Sequence, residues 1–180
     1  MLDGEEKLIR EAIAGEASAF GLLYDKYQPV IYRFIYIKIG HREEAEDLTH
    51  QVFLRAWENI YTYEFRGFSF SSWLYSIARN KVIDHYRTRK ITIDIESIQI
   101  SEEIKPNEKT IDEKLEIKKI KNAITKLRPV EQDVLIMRFI EELSPKEVAG
   151  ILKKSEGSIR LIQHKALKNL KKILNGQGTD

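Results

Sequence analysis

LSPKEVAGILKKSEGSIRLIQHKALKNL, Leu143 to Leu170, is the stretch whose reading decides the fold. Ser144-Pro145-Lys146-Glu147 is a capping box with proline at the first helical position, where its missing N–H is not needed. A short helix from Pro145 to Leu152 follows. Lys153-Lys154-Ser155 makes a turn, and Ser155 can cap a last helix running to about Leu174. Two helices joined by so short a turn form the helix-turn-helix pattern. Ala149 is small, as a close crossing requires, and Ile159, Ile162, Ala166, Leu170 and Ile173 fall on the side that faces a core. The competing reading is an ordinary helical hairpin with a lysine-rich outer face.

In a helix-turn-helix the N-terminal part of the second helix enters the DNA major groove. Ser155 and Ser158 stand at that end, with hydroxyls and backbone N–H groups available for phosphate. Arg160, Leu161, His164 and Lys165 project from the side opposite the core. Arg160 can donate two hydrogen bonds to guanine and Leu161 can touch a thymine methyl. Lys168, Lys171 and Lys172 add phosphate contacts.

Upstream the chain is also helical in pattern, as expected of 180 residues with 32% charged side chains and only 9 Gly and 4 Pro. Leu8, Ile9, Ala12 and Ile13 make one apolar stripe, and Phe20, Leu23, Tyr24 and Tyr27 another. Pro29 either opens a continuing helix or kinks it; the apolar run Val30 to Ile39 ends at Gly40. A helix from about Arg42 carries Ala45, Leu48, Val52, Ala56 and Ile60 at three- and four-residue steps. YTYEFRGFSF, 61 to 70, reads as an aromatic loop. A helix from Ser71 to about Lys90 buries Leu74, Ile77, Ala78 and Val82. Residues 91–115 alternate isoleucine with polar groups but have no second strand to pair with, so they read as an extended acidic linker. Helical pattern resumes from about Ile111, with Leu115, Ile120, Ile124 and Leu127 as a stripe. After Pro129, Val134, Leu135, Met137 and Ile140 give another. The fold class is therefore all-α: two small helical domains, 1–90 and 116–175, joined by the linker at 91–115.

Charge follows the same division. Residues 1–90 hold 13 basic and 13 acidic side chains, residues 91–116 hold 3 and 8, and residues 117–175 hold 14 and 6. The basic C-terminal part suits a polyanion. Within the balanced first part, Arg79, Lys81, Arg87, Arg89 and Lys90 follow directly on Tyr61, Tyr63, Phe65, Phe68, Phe70 and Trp73. Aromatic platforms beside cations suit single-stranded nucleic acid, because bases stack on rings while phosphates meet charge; the same aromatics would serve equally as core. Trp73, Asn80 and Arg87 recur at seven-residue steps on one helix face.

Other classes find little support. With no cysteine there is no disulfide, thiolate zinc site or cysteine nucleophile. His41, His50, His85 and His164 lie in four separate elements without metal spacing. No catalytic, metal or cofactor constellation is present. No apolar run approaches a membrane span, and Met1 to Glu16 reads as an acidic helix rather than a leader, so the expected location is the cytoplasm.

Three stretches, in order, resemble a known family. AEDLTHQVFLRAW, Ala45 to Trp57, is similar to region 2.2 of bacterial RNA polymerase sigma factors. FSSWLYSIARNKVIDHYR, Phe70 to Arg87, resembles the region that follows it, and Leu143 to Leu170 resembles region 4.2. Room for only two sigma domains makes the chain look like the extracytoplasmic-function (ECF) group. The resemblance implies a dissociable, non-enzymatic subunit that binds core RNA polymerase, directs it to promoter DNA and helps melt the −10 region. It implies that Arg42, Glu46, Asp47, His50, Gln51 and Arg55 meet the clamp helices of the largest polymerase subunit. Tyr61, Tyr63, Phe65, Phe68, Trp73, Arg79, Asn80, Lys81 and Arg87 would hold the −10 strand. Ser155, Ser158, Arg160, Leu161, His164, Lys165 and Lys168 would meet the −35 duplex. An anti-sigma factor is an implied partner, and the acidic linker would thread the polymerase toward its RNA exit channel. Two departures stand out: the family commonly has Gln-Glu where this chain has His50-Gln51, and often a serine and an arginine where Leu161 and Ile162 stand. Ile162 then belongs to the core and Gln163 turns outward. A free-standing regulator and an inactive polymerase-binding decoy are the competing functions.

Overall fold

A computed structural model describes residues 3–65, 69–92 and 119–176. Every regular element among them is helical. The chain divides into two compact units, Met1–Ile100 and Ser101–Asp180.

The first unit contains α1 (Asp3–Ile13), α2 (Ala17–Ile39), α3 (Arg42–Asn59), a single 3₁₀ turn (Ile60–Thr62) and α4 (Phe70–Thr92). Helix α2 packs against α1, α3 and α4, and α3 packs against α4. This central place explains why the second half of α2 is apolar nearly all round: Ile31, Phe34, Ile35, Tyr36 and Ile37 are all buried. The helix runs on through Pro29, which costs about 3 kcal/mol in a helix interior. Burial of Leu23, Tyr27, Ile31 and Phe34 on either side offsets that. Gly40 then stops it in the left-handed region, φ 75°, with its N–H bonded to the Tyr36 carbonyl at 2.8 Å. The Tyr86 hydroxyl of α4 donates to the carbonyl of Lys38, which takes up another carbonyl near the end of α2. At the other end, Glu5 accepts from the Tyr27 hydroxyl at 2.9 Å and pairs with Lys26, pinning α1 to α2. Burial first, and then this hydrogen bond, push the Tyr27 phenol far above its ordinary range.

Helix α4 begins at Phe70 and continues through Ile91 and Thr92, so the first two residues of the expected linker are helical. The rest of the linker, and the expected core residues Ile111 and Leu115, lie outside the described residues. Leu74, Ala78 and Val82 are buried as their spacing predicts. Tyr75, absent from the predicted stripe, is buried too, edge-on to Phe34 at 5.4 Å between ring centres.

The second unit contains a helix over residues 119–125, here α5, then α6 (Pro129–Leu135), α7 (Pro145–Leu152) and α8 (Glu156–Leu174). Leu127, Leu135 and Ala166 form its packed centre, with Leu170 and Ile173 against them. Ile120, expected on the apolar stripe, faces solvent instead. Gln132 donates to the carbonyls of Leu127 at 2.9 Å and Thr125 at 3.1 Å, closing the end of α5. Glu131 is buried because it has two partners: the Arg128 N–H at 3.2 Å and the Asn169 amide of α8 at 3.0 Å. The helix expected to run past Met137 widens after Leu135 into a π-turn over Ile136–Ile140. The Glu141 N–H reaches the Ile136 carbonyl at 3.0 Å, five residues back, and Phe139 is turned out to solvent.

Both caps of the helix-turn-helix form. Ser144 accepts from the Glu147 N–H at 3.2 Å while the Glu147 carboxylate accepts from the Ser144 N–H at 2.8 Å. Ser155 accepts from the Ser158 N–H at 3.2 Å. Lys153 closes α7 in the left-handed conformation, φ 52°, and the Lys154 N–H bonds the Ala149 carbonyl at 2.9 Å. A lysine there is strained where glycine would not be. Two exposed substitutions should therefore move stability in opposite directions. Ser155→Ala should lower it by about 1 kcal/mol, and Lys153→Gly should raise it by about 0.5–1 kcal/mol. Amide exchange of the α7 and α8 backbone measures both.

Candidate nucleic-acid interface

Helix α3 buries Ala45, Leu48, Val52, Phe53 and Ala56, which turns the opposite strip outward. Asp47, His50, Gln51 and Arg55 are exposed along it, with Arg42 and half-buried Glu46 at its start. Arg42 Nε lies 2.8 Å from Glu46 Oε1, and Arg55 pairs with Glu58 at 3.8 Å. The same strip carries Leu54, 60% exposed, which sequence reasoning missed. The available signal was that Leu54 is apolar yet three residues from Gln51 and four from His50, off the buried stripe altogether. A single exposed leucine is ordinary on a protein surface; Leu54 is of interest because it lies within the strip from Arg42 to Arg55.

The aromatic segment divides into two roles. Tyr61 is 69% exposed, whereas Tyr63 is only 6% exposed. The Tyr63 ring packs on Phe65 at 5.2 Å, Phe70 at 5.3 Å and Trp73 at 5.6 Å, and Phe70 in turn meets Tyr27 at 5.6 Å. Burial, then the charges of Glu5 and Glu6, raise the Tyr63 phenol above its usual value. Tyr63 and Phe70 are therefore packing residues, and stacking surface is left to Tyr61 and the half-buried Phe65 and Trp73. Phe65 has a cation on one side: the Arg10 guanidinium of α1 is 4.8 Å from its ring centre, itself held by Glu6 with Nε at 3.1 Å from Oε1. Phe68 lies outside the described residues.

On α4, Trp73, Asn80 and Arg87 share a face, half-buried at Trp73 and exposed at the other two. Arg87 pairs with Asp84 at 3.2 Å. Arg79 is half-buried. Lys81 leaves this face: its Nζ donates to Gln51 Oε1 of α3 at 3.3 Å. One residue expected to meet polymerase and one expected to meet DNA are thus bonded to each other. His85 Nε2 lies 3.0 Å from Glu44 of α3 on the same helix pair.

On α8, Ile159 and Ala166 are fully buried, so Arg160, Leu161, His164, Lys165 and Lys168 stand exposed on the other side, Leu161 at 69%. The Ser155 and Ser158 hydroxyls lie 2.9 Å apart at the N-terminus, and Arg160 pairs with Glu156 at 3.6 Å. Ile162 is half-buried. Gln163, expected to turn outward, is half-buried and accepts from Arg138 Nε at 3.1 Å. Among the described residues no group of side chains is gathered that could hold a metal ion, and no helix is long and apolar enough to cross a membrane.

Sigma-70 region 2 matches residues 23–91 and sigma-70 region 4 matches residues 123–172. The ECF RNA polymerase sigma factor BldN of Streptomyces coelicolor is 37% identical over 93% of this chain, which spans 65% of BldN. SigX and SigW of Bacillus subtilis, also ECF sigma factors, are each 30% identical, over 85% and 94% of this chain and 82% and 96% of their own lengths. In fold the chain matches CnrH, solved with the cytosolic domain of CnrY, at TM-score 0.75, 21% identity and 97% and 99% coverage. It matches the sigma factor RpoE, solved with the anti-sigma factor NepR from Bartonella quintana, at TM-score 0.73, 21% identity and 87% and 96% coverage. The chain belongs to the sigma-70 family of RNA polymerase sigma factors, in the ECF group. Sigma factors are transcription initiation factors, not enzymes, and the two matched regions serve RNA polymerase and promoter DNA.

The two tyrosines should separate sharply on substitution. Tyr63→Ala removes the centre of an aromatic cluster and should destabilise the first unit by about 3–5 kcal/mol. Tyr61→Ala should change it by less than about 0.5 kcal/mol. The chain has 2 tryptophans, Trp57 and Trp73, both in this unit, so urea titration followed by tryptophan fluorescence reads it selectively.

Proposed function

We propose that this chain, acting in the cytoplasm, grips core polymerase with residues 1–90, holds the opened −10 strand with the same domain, and reads the −35 duplex with residues 116–175. Residues 91–115 link the two through the polymerase. The exposed strip of α3 carries the proposal: Arg42, Glu46, Asp47, His50, Gln51, Leu54 and Arg55 face outward from a helix whose other side is fully used in packing. A free-standing DNA-binding regulator has no use for such a strip. Its proposed partner is the pair of clamp helices of the largest polymerase subunit. With Gln51 uncharged and engaged by Lys81, Leu54 supplies apolar contact at the centre and Asp47 and Arg55 supply charge at the rim.

For the −10 strand, Tyr61, Phe65 and Trp73 offer ring faces and Arg79, Asn80 and Arg87 offer donors to phosphate and base. Tyr63 backs Phe65 and Trp73 rather than stacking on a base, and Lys81 bridges to α3. Capture of an unstacked base takes a few kcal/mol of unstacking, which a pre-packed platform makes easier to recover. For the −35 duplex, the capped N-terminus of α8 presents Ser155 and Ser158 to phosphate. Arg160, Leu161, His164 and Lys165 go to base edges, and Lys168 to backbone. An anti-sigma factor belongs to the proposal as well, supported by the shared fold with RpoE, which was solved with one.

Run-off transcription with purified core polymerase on a promoter library tests the whole reading. Specific starts are expected only when this chain is added, and their absence from every promoter would overturn it. Leu54→Ser should weaken core binding at least about ten-fold, as loss of a central contact does, with unchanged helix content by circular dichroism. Asn80→Ala with Arg87→Ala, both exposed and outside the aromatic cluster, should leave core binding intact and abolish strand opening, read by permanganate reactivity of −10 thymines. Opening that survives the double substitution would favour the polymerase-binding decoy.

A further inference from the structure

We infer that Arg138, in the π-turn of the second unit, is a positioning residue for sequence reading by α8. The inference rests on the proposal that α8 enters the −35 major groove, and it adds a residue that makes no contact with DNA itself. Arg138 Nε donates to Gln163 Oε1 of α8 at 3.1 Å, and its Nη1 donates to the carbonyl of Leu143, next to the Ser144 cap of α7. One guanidinium therefore ties α8 to the loop residue that leads into the Ser144 cap of α7, and its planar fork suits two fixed acceptors. The π-turn makes this reach possible. The widened turn from Ile136 to Ile140 alters the register of the helix, and Leu143 N–H returns to the Met137 carbonyl at 2.8 Å, holding the loop under Arg138.

Gln163 is placed where a hold on α8 matters. It is four residues after fully buried Ile159 and three before fully buried Ala166, at the margin of the packed face. It is also three residues after Arg160 and one before His164, both exposed on the reading side. Ile159 and Ala166 fix how deep the helix sits, and Asn169, bonded to Glu131 at 3.0 Å, holds α8 one turn beyond the reading residues. At the reading end itself, between Ser155 and Lys165, the Arg138–Gln163 bond is the polar tie to the rest of the unit among the described residues' hydrogen bonds. At a side-chain radius of roughly 6 Å, a roll of about 10° displaces a side-chain tip by about 1 Å. That exceeds the roughly 0.5 Å window of a good hydrogen bond, so a small roll suffices to spoil a bidentate contact from Arg160. The Arg138–Gln163 bond opposes that roll.

The experiment uses holoenzyme reconstituted from the full chain and core polymerase. Duplex probes carry either the −35 sequence selected by the wild-type holoenzyme from a randomised library or a scrambled one, and the ratio of the two affinities is measured. Arg138→Ala and Gln163→Ala should each lower the ratio about five-fold, the order of a weakened base contact. The double variant should be no worse than Arg138→Ala alone, since both single variants remove the Arg138–Gln163 bond and Arg138→Ala already removes the Leu143 bond as well. Gln163→Glu keeps the acceptor, so the ratio should stay within about two-fold although its added negative charge lowers all DNA affinities. The slope of log affinity against log salt should be the same for Arg138→Ala and wild type.

An unchanged ratio in Arg138→Ala would overturn the inference. So would a loss confined to Gln163→Ala, which would make Gln163 a base reader. A salt slope reduced by about 0.9 in Arg138→Ala would overturn it too, making Arg138 a phosphate contact. If Arg138→Ala fails to fold, Gln163→Ala against Gln163→Glu still decides, because Glu restores a positioning bond with the preferred −35 bases unchanged, whereas at a base-reading position it shifts the preferred base from adenine toward cytosine. A wild-type ratio near one would overturn the −35 reading itself, and the positioning role with it.

Discussion

The buried ring of Tyr63 is the point at which the first unit is tied shut. The chain leaves α3, makes a single turn over Ile60–Thr62, and places this ring among Phe65, Phe70 and Trp73. Phe70 starts α4 and meets Tyr27 of α2, whose hydroxyl is bound by Glu5 of α1. Three helices and the stem of a loop thus converge on one aromatic cluster, where each ring pair adds about 0.5–1.5 kcal/mol beyond its area burial. Phe65 and Trp73 rest against that ring, and on the proposed reading they offer stacking surface to a base. A stacking platform of this kind is useful only if it is rigid before the ligand arrives, because ordering aromatic side chains on binding would subtract from the binding energy.

A second consequence follows from packing α3 against α4. Each helix buries one face in the other and in α2, so their outer faces lie side by side, and the Lys81–Gln51 bond joins them across the edge. Close-packed interfaces transmit displacement instead of absorbing it. On the proposed reading, polymerase seated on the α3 strip and a strand seated on α4 load the same rigid pair. The departure from the family at His50-Gln51 gains a physical sense here: an uncharged amide accepts the lysine hydrogen bond without setting a full charge at the boundary of two binding faces.

Local features were legible in the sequence and long-range ones were not. The bounds of α7 and α8, the capping box at Ser144, the Ser155 cap and the Gly40 stop all depend on residues within one helical turn of one another. Their chemistry is written in adjacent letters. The different fates of Tyr61 and Tyr63 are not, because what separates them is the position of Phe70, Trp73 and Tyr27 in space. Leu54 was legible in principle, as an apolar residue off the stripe, but only by asking what the stripe leaves over. Ile120 fitted a period and yet faces solvent, since a period records spacing and not the presence of a neighbour to pack on. The π-turn was hidden altogether. Ile136 and Met137 look like two more core positions of an ordinary helix, and the widening is visible only through the bonds that Glu141 and Leu143 make back to them. Gln163 went the same way: outward-facing by spacing, but held by Arg138 from 25 residues earlier.

On the proposed reading, the uneven charge of the chain fits a division of physical labour between its units. Residues 1–90 are balanced at 13 basic and 13 acidic side chains, while residues 117–175 carry 14 basic against 6 acidic. Reading an intact duplex begins with phosphate contacts that set register, and these need a positive surface. Holding an unpaired strand depends more on ring faces, which attract bases without net charge. A strongly cationic first unit would bind duplex DNA wherever it met it, in competition with the specific site. On that reading, a first unit whose cations are matched by as many carboxylates avoids this and leaves the choice of site to the second unit.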